Sequence, residues 1–386
     1  MKIGINAHLL SPDDTYRATG VSNYTEHLLR GLSDVDAHNR YRVFAGAWAR
    51  DVQKRRFYGL GRNFRWEASG LPTQRAPVRI AWEQMLWPLR SARLDVTHGA
   101  VNVVPLWGFS RHTARVVTIH DLVFMVFHDK HSPVQRRYLE AITRASVKRA
   151  DRVIAVSEHT RQDVLRLLGA DPKKVITVPE AAGTEFEPRP KAEVEEFRAR
   201  RGLPERYFFY LGTLEPRKNV PALLRGYARL RATQPDAPIL VVAGPKGWQY
   251  EEIFGLVREL GLENSVLFPG FVPRDELVLW FNAAVCFVYL SEYEGFGLPP
   301  LQAMACGVPA IVHNASSLPE VVGDAGLIVN ASEESEVAAA LQRFADDERE
   351  RQEWGIKALA RAREFSWRRC AQETLRVYEA AHAAKK

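Results

Sequence analysis

From residue 207 onward the hydrophobic residues gather in short runs rich in Val, Ile and Phe, each bounded by Gly or Pro and followed by a longer amphipathic segment: YFFYLG, PILVVAG, SVLFPGF, VCFVYLS, PAIVH and AGLIVN. Short apolar runs separated by helix-length amphipathic sequence read as buried parallel strands with crossover helices, because a strand covered on both faces needs no polar alternation. The first half repeats this less regularly, in KIGINA, YRVFAG, DVTHG, RVVTIHD, RVIAVS and KVITVP. The pattern predicts an α/β chain of two doubly wound, Rossmann-like parallel-sheet domains. Between them the stretch EPRPKAEVEEFRARRGLPER, at 187 to 206, combines Pro, charge and a short helical pattern, and reads as a linker and hinge into the second sheet. The expected domains are 1–186 and 187–366. FSWRRCAQETLRVYEAAHAA, at 365 to 384, has helical spacing at Cys370, Leu375, Val377 and Tyr378. It predicts a closing helix, about 367–386, that packs across the domains and completes the first.

Composition narrows the class. A chain of 386 residues suggests two or three domains, and its 46% hydrophobic and 26% charged residues are those of a soluble globular protein. No apolar run approaches the roughly 20 residues needed to cross a bilayer. MKIGINAHLL lacks the basic start and long apolar centre of a secretory signal, so a cytoplasmic location is expected. Cys286, Cys306 and Cys370 are odd in number and unclustered, which suggests buried free thiols, with neither a disulfide framework nor a zinc site.

The net charge of +7 is uneven: residues 1 to 185 hold 28 Lys+Arg against 18 Asp+Glu, the remainder 25 against 28. ARDVQKRRFYGLGRNFR (49–65) and VQRRYLEAITRASVKRADR (134–152) carry much of the excess and interleave apolar residues with the bases. Solvated helix faces are the plain reading; contact with an anionic membrane surface or a phosphate-bearing acceptor is the functional one. No nucleic-acid motif accompanies the charge, so no nucleic-acid partner is expected.

In open parallel sheets ligands bind beyond the carboxyl ends of the strands, which directs attention to the residues that follow each run. After VCFVYLS comes SEYEGFGLPPLQAMACGVPA (291–310), a loop leading into a helix started by Pro299 and Pro300. Gly295 and Gly297 allow close backbone approach, and the amides near Gly297 and Leu298 can hold an anion such as a diphosphate. Glu294 would repel that phosphate, but a carboxylate accepts hydrogen bonds only and so suits a neighbour rich in hydroxyl donors, a sugar. Gln302 could reach a second hydroxyl pair, such as a ribose. A strand-turn-helix whose Glu merely caps is the structural alternative. YFFYLGTLEPRKNVPALL puts Glu215, Arg217 and Lys218 before another helix, where paired bases would neutralise diphosphate charge; a solvated basic turn is the plain reading. His120 and Asp121 end RVVTIHD, and His98 ends DVTHG; His120 is weighed between a functional and a structural role, and His98 and Asp121 are the acceptor-side candidates, with a structural role the alternative for His98. Asp34 and Asp36 in SDVDAHN imitate a metal-binding Asp-x-Asp but follow a helix, so a solvated loop and no bound metal are expected.

EGFGLPPLQAMACGVP and the glycine-led GTLEPRKN resemble the nucleotide-sugar domain of the family 4 retaining glycosyltransferases, which have the GT-B fold with an interdomain cleft. TGVSNYTEHLLRGL, TIHDLVF, ADRVIAVSEHTRQDV and the C-terminal FSW extend the likeness over nearly the whole chain. The resemblance implies a retaining hexosyltransferase with an N-terminal acceptor domain and a C-terminal donor domain. Its substrate would be a nucleotide-diphosphate sugar, GDP-mannose first and UDP-sugars close behind, with no tightly bound cofactor, and its acceptor a glycan or lipid-linked hydroxyl. A peripheral position on the inner membrane face would follow.

Residue by residue, the resemblance implies that Glu294 and the amides of Gly295, Phe296, Gly297 and Leu298 hold the sugar and phosphate. Arg217 and Lys218 hold the diphosphate, within a donor site that takes in Gly212, Thr213, Glu215 and Val272. His120 stands beside the transferred sugar, and Gly20 is the close-approach glycine of the first loop. Two departures from the family pattern matter: its second acid is Gln302 here, and an Arg that some members carry after the phosphate-turn glycine is Thr213, leaving Arg217 to supply that charge. The rival readings are a sugar-nucleotide 2-epimerase and a non-catalytic nucleotide-sugar scaffold or sensor.

Overall fold

In a computed structural model of the chain, the described residues are 1–11, 20–50, 59–108, 110–127 and 132–385. Of the basic stretch at 49–65, residues 51–58 lie outside them. The chain forms two compact units, Met1–Glu180 with Ser366–Lys386, and Ala181–Phe365.

The first unit is built on a seven-stranded sheet of β1 (Lys2–Asn6), β2 (Arg40–Ala45), β3 (Phe64–Ala68), β4 (Val96–Gly99), β5 (Ala114–Ile119), β6 (Arg152–Ala155) and β7 (Val175–Thr177), in the spatial order β3-β2-β1-β4-β5-β6-β7. Every pairing is parallel. The central strands are buried along most of their length because helices cover both faces, which is why their sequence is continuously apolar. Val117, Ile119, Val153 and Ala155 pack with Val164 and Leu168 of the helix Glu158–Leu168 into one core. The helix Trp367–Ala383 returns to this unit and packs against the helix Val21–Val35 and strands β4 to β6. Its apolar spacing therefore serves the first unit's core. Strand β3 is absent from the sequence reading: FRWEA is only half-buried, lies at the sheet edge and begins at the end of the basic stretch 49–65, whose charge suggests a solvated helix. The second basic stretch does form a helix, Pro133–Arg149, started by a Ser132–Gln135 capping box.

The second unit holds β8 (Tyr207–Leu211), β9 (Ile239–Ala243), β10 (Val266–Gly270), β11 (Cys286–Tyr289), β12 (Ala310–His313) and β13 (Leu327–Val329), in the order β10-β9-β8-β11-β12-β13. Renumbered within the unit this is 3-2-1-4-5-6, the doubly wound order whose switch point lies between its first and fourth strands, here β8 and β11. The stretch at 187–206 is not a free linker. Its helix Lys191–Arg201 buries Val194 and Phe197, the Phe197 ring meets Trp280 edge-on at 5.8 Å, and the Arg189 amide donates to Asn282 Oδ1 at 2.8 Å. The chain passes between units at Glu180–Ala181 and Phe365–Ser366.

Asp36 also departs from expectation. It is buried, and its carboxylate accepts from the His38 and Asn39 amides and from the Tyr41 hydroxyl, so it organises the turn into β2. Asp34 is exposed. Among the described residues no group of three or more His, Cys, Asp or Glu could hold a metal, and the three cysteines are free and buried.

The ends of β8, β9 and β10 are tied edge to edge: the Gly212 amide donates to Ala243 O at 3.0 Å and the Gly244 amide to Gly270 O at 2.7 Å. Gly244 has φ +140°, and a Cβ there would stand 1.9 Å from Gly212 O. Gly244→Ala should therefore lower unfolding stability by about 2–3 kcal/mol, through backbone strain and steric overlap. Denaturant melts that leave the midpoint unchanged would contradict this account of the glycine.

Candidate active site

Both loops singled out in the sequence leave the strands that flank the switch point of the second unit, and parallel pairing brings them together. From β8 the chain runs through Gly212 and Thr213 to a short 3-10 turn, Pro216–Lys218, ended by Asn219 at φ 52°. From β11 it runs through Ser291 to Gly297, which has φ 106° and caps the helix Leu298–Ala305. The loops are sewn together through the backbone: the Glu292 amide donates to Arg217 O at 3.0 Å and Ser291 Oγ to the same oxygen at 3.3 Å.

At the junction the Glu294 carboxylate is a shared acceptor. Its Oε1 receives Lys218 Nζ, Arg217 Nη1 at 3.1 Å and the Tyr289 hydroxyl at 2.9 Å. Lys218 Nζ also donates to Tyr289 Oη at 2.6 Å. Arg217 is oriented from behind, donating through Nη2 to Glu215 Oε1 at 2.7 Å and through Nη1 to the Tyr293 carbonyl. Burial alone would raise the Glu294 carboxyl, but the Lys218 and Arg217 cations outweigh it and hold the group at about 2. Burial, with Arg217 adding to it, pulls the Lys218 ammonium below its ordinary value against the opposing pull of Glu294. The site holds an ionised acid and two cations with little solvent between them.

The backbone of the Glu294 loop is fixed separately. Ser316, at φ 62°, accepts the Glu294 amide at 2.7 Å and donates to the Glu294 carbonyl at 2.5 Å, while Ser317 Oγ donates to Phe296 O at 2.7 Å. Among the described residues no hydrogen bond uses the amides of Phe296, Gly297 or Leu298. The Phe296 side chain packs on Phe365 at 5.7 Å, so only its amide is offered to a ligand. Gln302 is buried on the helix Leu298–Ala305, and its side-chain amide has no partner among the described residues. Glu215 is buried and committed to Arg217, Val272 is buried in the loop after β10, and Thr213 is half-buried.

The remaining expected residues lie in the first unit. Gly20 begins the helix Val21–Val35 at φ 47°, and among the described residues a Cβ there would meet nothing within 4 Å. His120 stands at the end of β5 with both ring nitrogens engaged, Nδ1 with Glu180 Oε1 at 3.1 Å and Nε2 with Ala100 O at 2.9 Å. Both partners are acceptors, so both nitrogens carry protons. Burial alone would lower the imidazole, but the Glu180 hydrogen bond and charge raise it above its ordinary value. Asp121 Oδ1 accepts the Val123 amide at 3.0 Å and so starts the next turn. His98 is not on an acceptor face: it is 0% exposed, with Nδ1 on the Tyr378 hydroxyl at 2.7 Å and Nε2 on Thr118 Oγ1 at 2.8 Å, and burial lowers it to about 3. It joins the C-terminal helix to the sheet.

Tyr289, Glu180, Ser316 and Ser317 escaped the sequence reading. Tyr289 hides within an apolar strand run and the serines within NASSLPE, but Glu180 ends KVITVPE and follows a strand, the signal that identified His120.

Residues 18–186 match the family "Glycosyltransferase Family 4" and residues 193–361 the family "Glycosyl transferases group 1". With two parallel-sheet units and these matches, the chain is a glycosyltransferase of the GT-B fold. It belongs to family 4, and over 375 residues it is 30% identical to the O-antigen chain mannosyltransferase B of Escherichia coli, covering 94% of this chain and 97% of that protein. A D-inositol 3-phosphate glycosyltransferase of Kineococcus radiotolerans is 33% identical over 255 residues, 61% of this chain and 58% of the relative. Among solved structures, sucrose-phosphate synthase from Thermosynechococcus elongatus superposes with a TM-score of 0.78 at 22% identity, covering 99% of both chains. Anabaena HepE in complex with UDP-glucose gives 0.72 at 17%, covering 98% of this chain and 100% of that one. These two likenesses concern the fold.

The two histidines make a paired prediction. Histidine-selective NMR should find His120 keeping its proton above pH 6.5, because its charged form is favoured, while His98 stays neutral down to about pH 3. Co-titration of the two rings near 6.5 would refute the hydrogen-bond assignments.

Proposed function

We propose that the protein transfers a hexosyl group from a nucleotide-diphosphate sugar to a hydroxyl of a glycan or lipid-linked acceptor, with retention at the anomeric carbon. The observation that carries this reading is the buried Glu294–Lys218–Arg217 cluster beside the amides of Phe296 to Leu298. Two cations and amides with no partner among the described residues suit a diphosphate, and the Glu294 carboxylate between them suits the hydroxyls of the adjoining sugar. Mannose is the favoured sugar and GDP-mannose the favoured donor, supported by the likeness to the E. coli O-antigen chain mannosyltransferase B; UDP-sugars follow, since HepE has been solved with UDP-glucose.

On this reading donor binding is an exchange. The diphosphate replaces the Glu294 carboxylate as partner of Lys218 and Arg217, and the freed carboxylate turns to the sugar hydroxyls. Gln302 takes the ribose, and Gly20 leaves open space for close approach in the first unit. As the bond between the anomeric carbon and the phosphate oxygen breaks, its electron pair passes to that oxygen, where Lys218, Arg217 and the amides stabilise it. The acceptor oxygen bonds to the same face of the sugar and its proton passes to the departing phosphate, so no protein nucleophile is required. His120 contributes fixed positive charge and no proton, because both its N–H groups are spent on Glu180 and Ala100.

The test is a nucleotide-release screen of GDP-, UDP- and ADP-sugars with and without lipid-linked acceptors. Acceptor-dependent release of one nucleotide is expected, and Lys218→Ala should lower turnover by roughly two to three orders of magnitude. Isomerised donor without acceptor would point instead to an epimerase, and donor binding without release to a sensor. Unchanged turnover in Lys218→Ala would remove the cluster from the mechanism.

An anionic membrane surface completes the proposal. No described helix is long and apolar enough to cross a membrane. The first unit nevertheless exposes Met85 at 61%, Leu89 at 63% and Trp107 at 52%, and Gly108, next to Trp107, lies against Pro88, next to Leu89. Arg90 and Arg93 adjoin them in a half of the chain rich in base. Apolar side chains entering the headgroup region beside bases are a surface anchor. Sedimentation with phosphatidylglycerol vesicles should show binding that weakens with salt and falls in Leu89→Asp; salt-independent binding, or none, would count against the surface.

A further inference from the structure

We propose that Asn6, His8 and Glu83, at the carboxyl end of β1, recognise a neutral hydroxyl of the acceptor sugar, with Nε2 of His8 accepting the hydrogen bond. The proposal rests on the glycosyl-transfer reading above and adds a specificity-determining group to its acceptor side.

The cluster is built from two elements. Asn6 is the last residue of β1, the strand beside the switch point of the first unit, and His8 follows two positions later. Opposite them, the helical stretch from Ala76 to Ser91 contains a π turn, Trp82–Leu86, between two α segments. A π turn inserts one extra residue and rotates the helix faces, a feature concentrated at functional sites. Here it directs Glu83 inward, 6% exposed, while Met85 remains outside. Arg79 Nε lies 3.9 Å from Glu83 Oε1, and the Trp82 ring lies over the His8 ring with centroids 3.9 Å apart.

The protons can be assigned in sequence. The His8 backbone amide donates to the Asn6 side chain at 3.1 Å, so the atom it meets is Oδ1. The other Asn6 atom is then Nδ2, which donates to Glu83 Oε1 at 3.1 Å. His8 Nδ1 lies 3.2 Å from the same Oδ1, which can only accept, so Nδ1 carries the ring proton. Nε2 is therefore a bare lone pair. His8 is 4% exposed, and Nε2 is buried without a partner among the described residues. Burial, with Arg79 adding to it, lowers this imidazole to about 3, which keeps it neutral. Burial also raises Glu83 to about 7 against the opposing pull of Arg79 and Asn6.

A buried, oriented and unpaired acceptor loses its hydration without replacement unless a donor meets it, and such groups in native proteins call for an explanation. The chemistry of the donor is restricted. A phosphate is anionic at neutral pH, and it would face both the lone pair and Glu83. An ammonium would be opposed by Arg79. A sugar hydroxyl supplies one proton and no charge.

The test uses the full chain, the nucleotide sugar that supports turnover, and methyl α-mannopyranoside with its monodeoxy derivatives as acceptor probes. His8→Ala should raise the acceptor KM about tenfold while the donor KM stays within about twofold, and His8→Gln, which keeps an acceptor atom, should recover part of the loss. One monodeoxy derivative should lose about as much with the wild-type protein and lose nothing further with His8→Ala, as expected when the two changes remove one hydrogen bond. Equal effects on donor and acceptor KM, or His8→Ala kinetics matching wild type while transfer proceeds, would overturn this proposal and leave the transfer reading intact. Should His8→Ala fail to fold, the wild-type series decides alone: equal KM for every deoxy derivative overturns the proposal. If wild-type protein releases no nucleotide from any donor, both readings fall together.

Discussion

The second unit depends on one buried electrostatic fact: a carboxylate and two cations meet where the chain leaves β8 and β11. Removing charges from water is costly, and truncating one partner of such a group strands the others, so the three residues must be kept or lost together. Their cohesion also gives shape to two loops with little regular structure of their own. Arg217 is locked by Glu215 behind it and by Glu294 and the Tyr293 carbonyl in front, and Lys218 is locked by Tyr289, which rises from the strand itself. The loop position is thereby referred back to the sheet, the most rigid part of the unit.

A parallel arrangement holds the first unit. His120 and Glu180 form a buried pair at the carboxyl ends of β5 and of the segment after β7, and Glu180 is the last residue before the chain leaves that unit. A charged histidine bound on both nitrogens cannot also exchange protons, so its value is positional. It fixes the exit point of the chain, with the imidazolium charge set against the Glu180 carboxylate. His98, one strand over, shows the opposite outcome of burial: its partners are hydroxyls, which can donate as well as accept, and the ring stays neutral.

Much of this was legible in the sequence for a physical reason. Parallel strands buried on both faces must be continuously apolar, so YFFYLG, PILVVAG, VCFVYLS and their kin declare themselves, and the switch-point rule then selects the loops at 212–218 and 291–298. What stayed hidden obeys other constraints. FRWEA, an edge strand with a half-exposed face, has no reason to be apolar throughout. The helix Lys191–Arg201 reads as linker because its buried contacts, Val194 and Phe197, are only two residues in a charged stretch. Tyr289 contributes a hydroxyl from within a core strand, and its role depends on a partner five residues on whose direction only the folded loop decides. Glu83 turns inward within a π turn, which no periodicity of 3.6 would predict.

The neutral Gln302 is also consistent with the charge accounting around Glu294. The helix Leu298–Ala305 has Pro299 and Pro300 in its first turn, so its free amides are concentrated before them, at Phe296 to Leu298, and dipole stabilisation of an anion falls off beyond that turn. A carboxylate at 302 would sit past the favourable region and buried, and on the proposed reading it would be a further negative charge facing the donor diphosphate. An amide there can still offer a carbonyl and an N–H to a ribose without adding a second buried negative charge. On the proposed reading ribose recognition is then weaker per hydrogen bond, while no third carboxylate joins Glu294 and Glu215 beside the two cations.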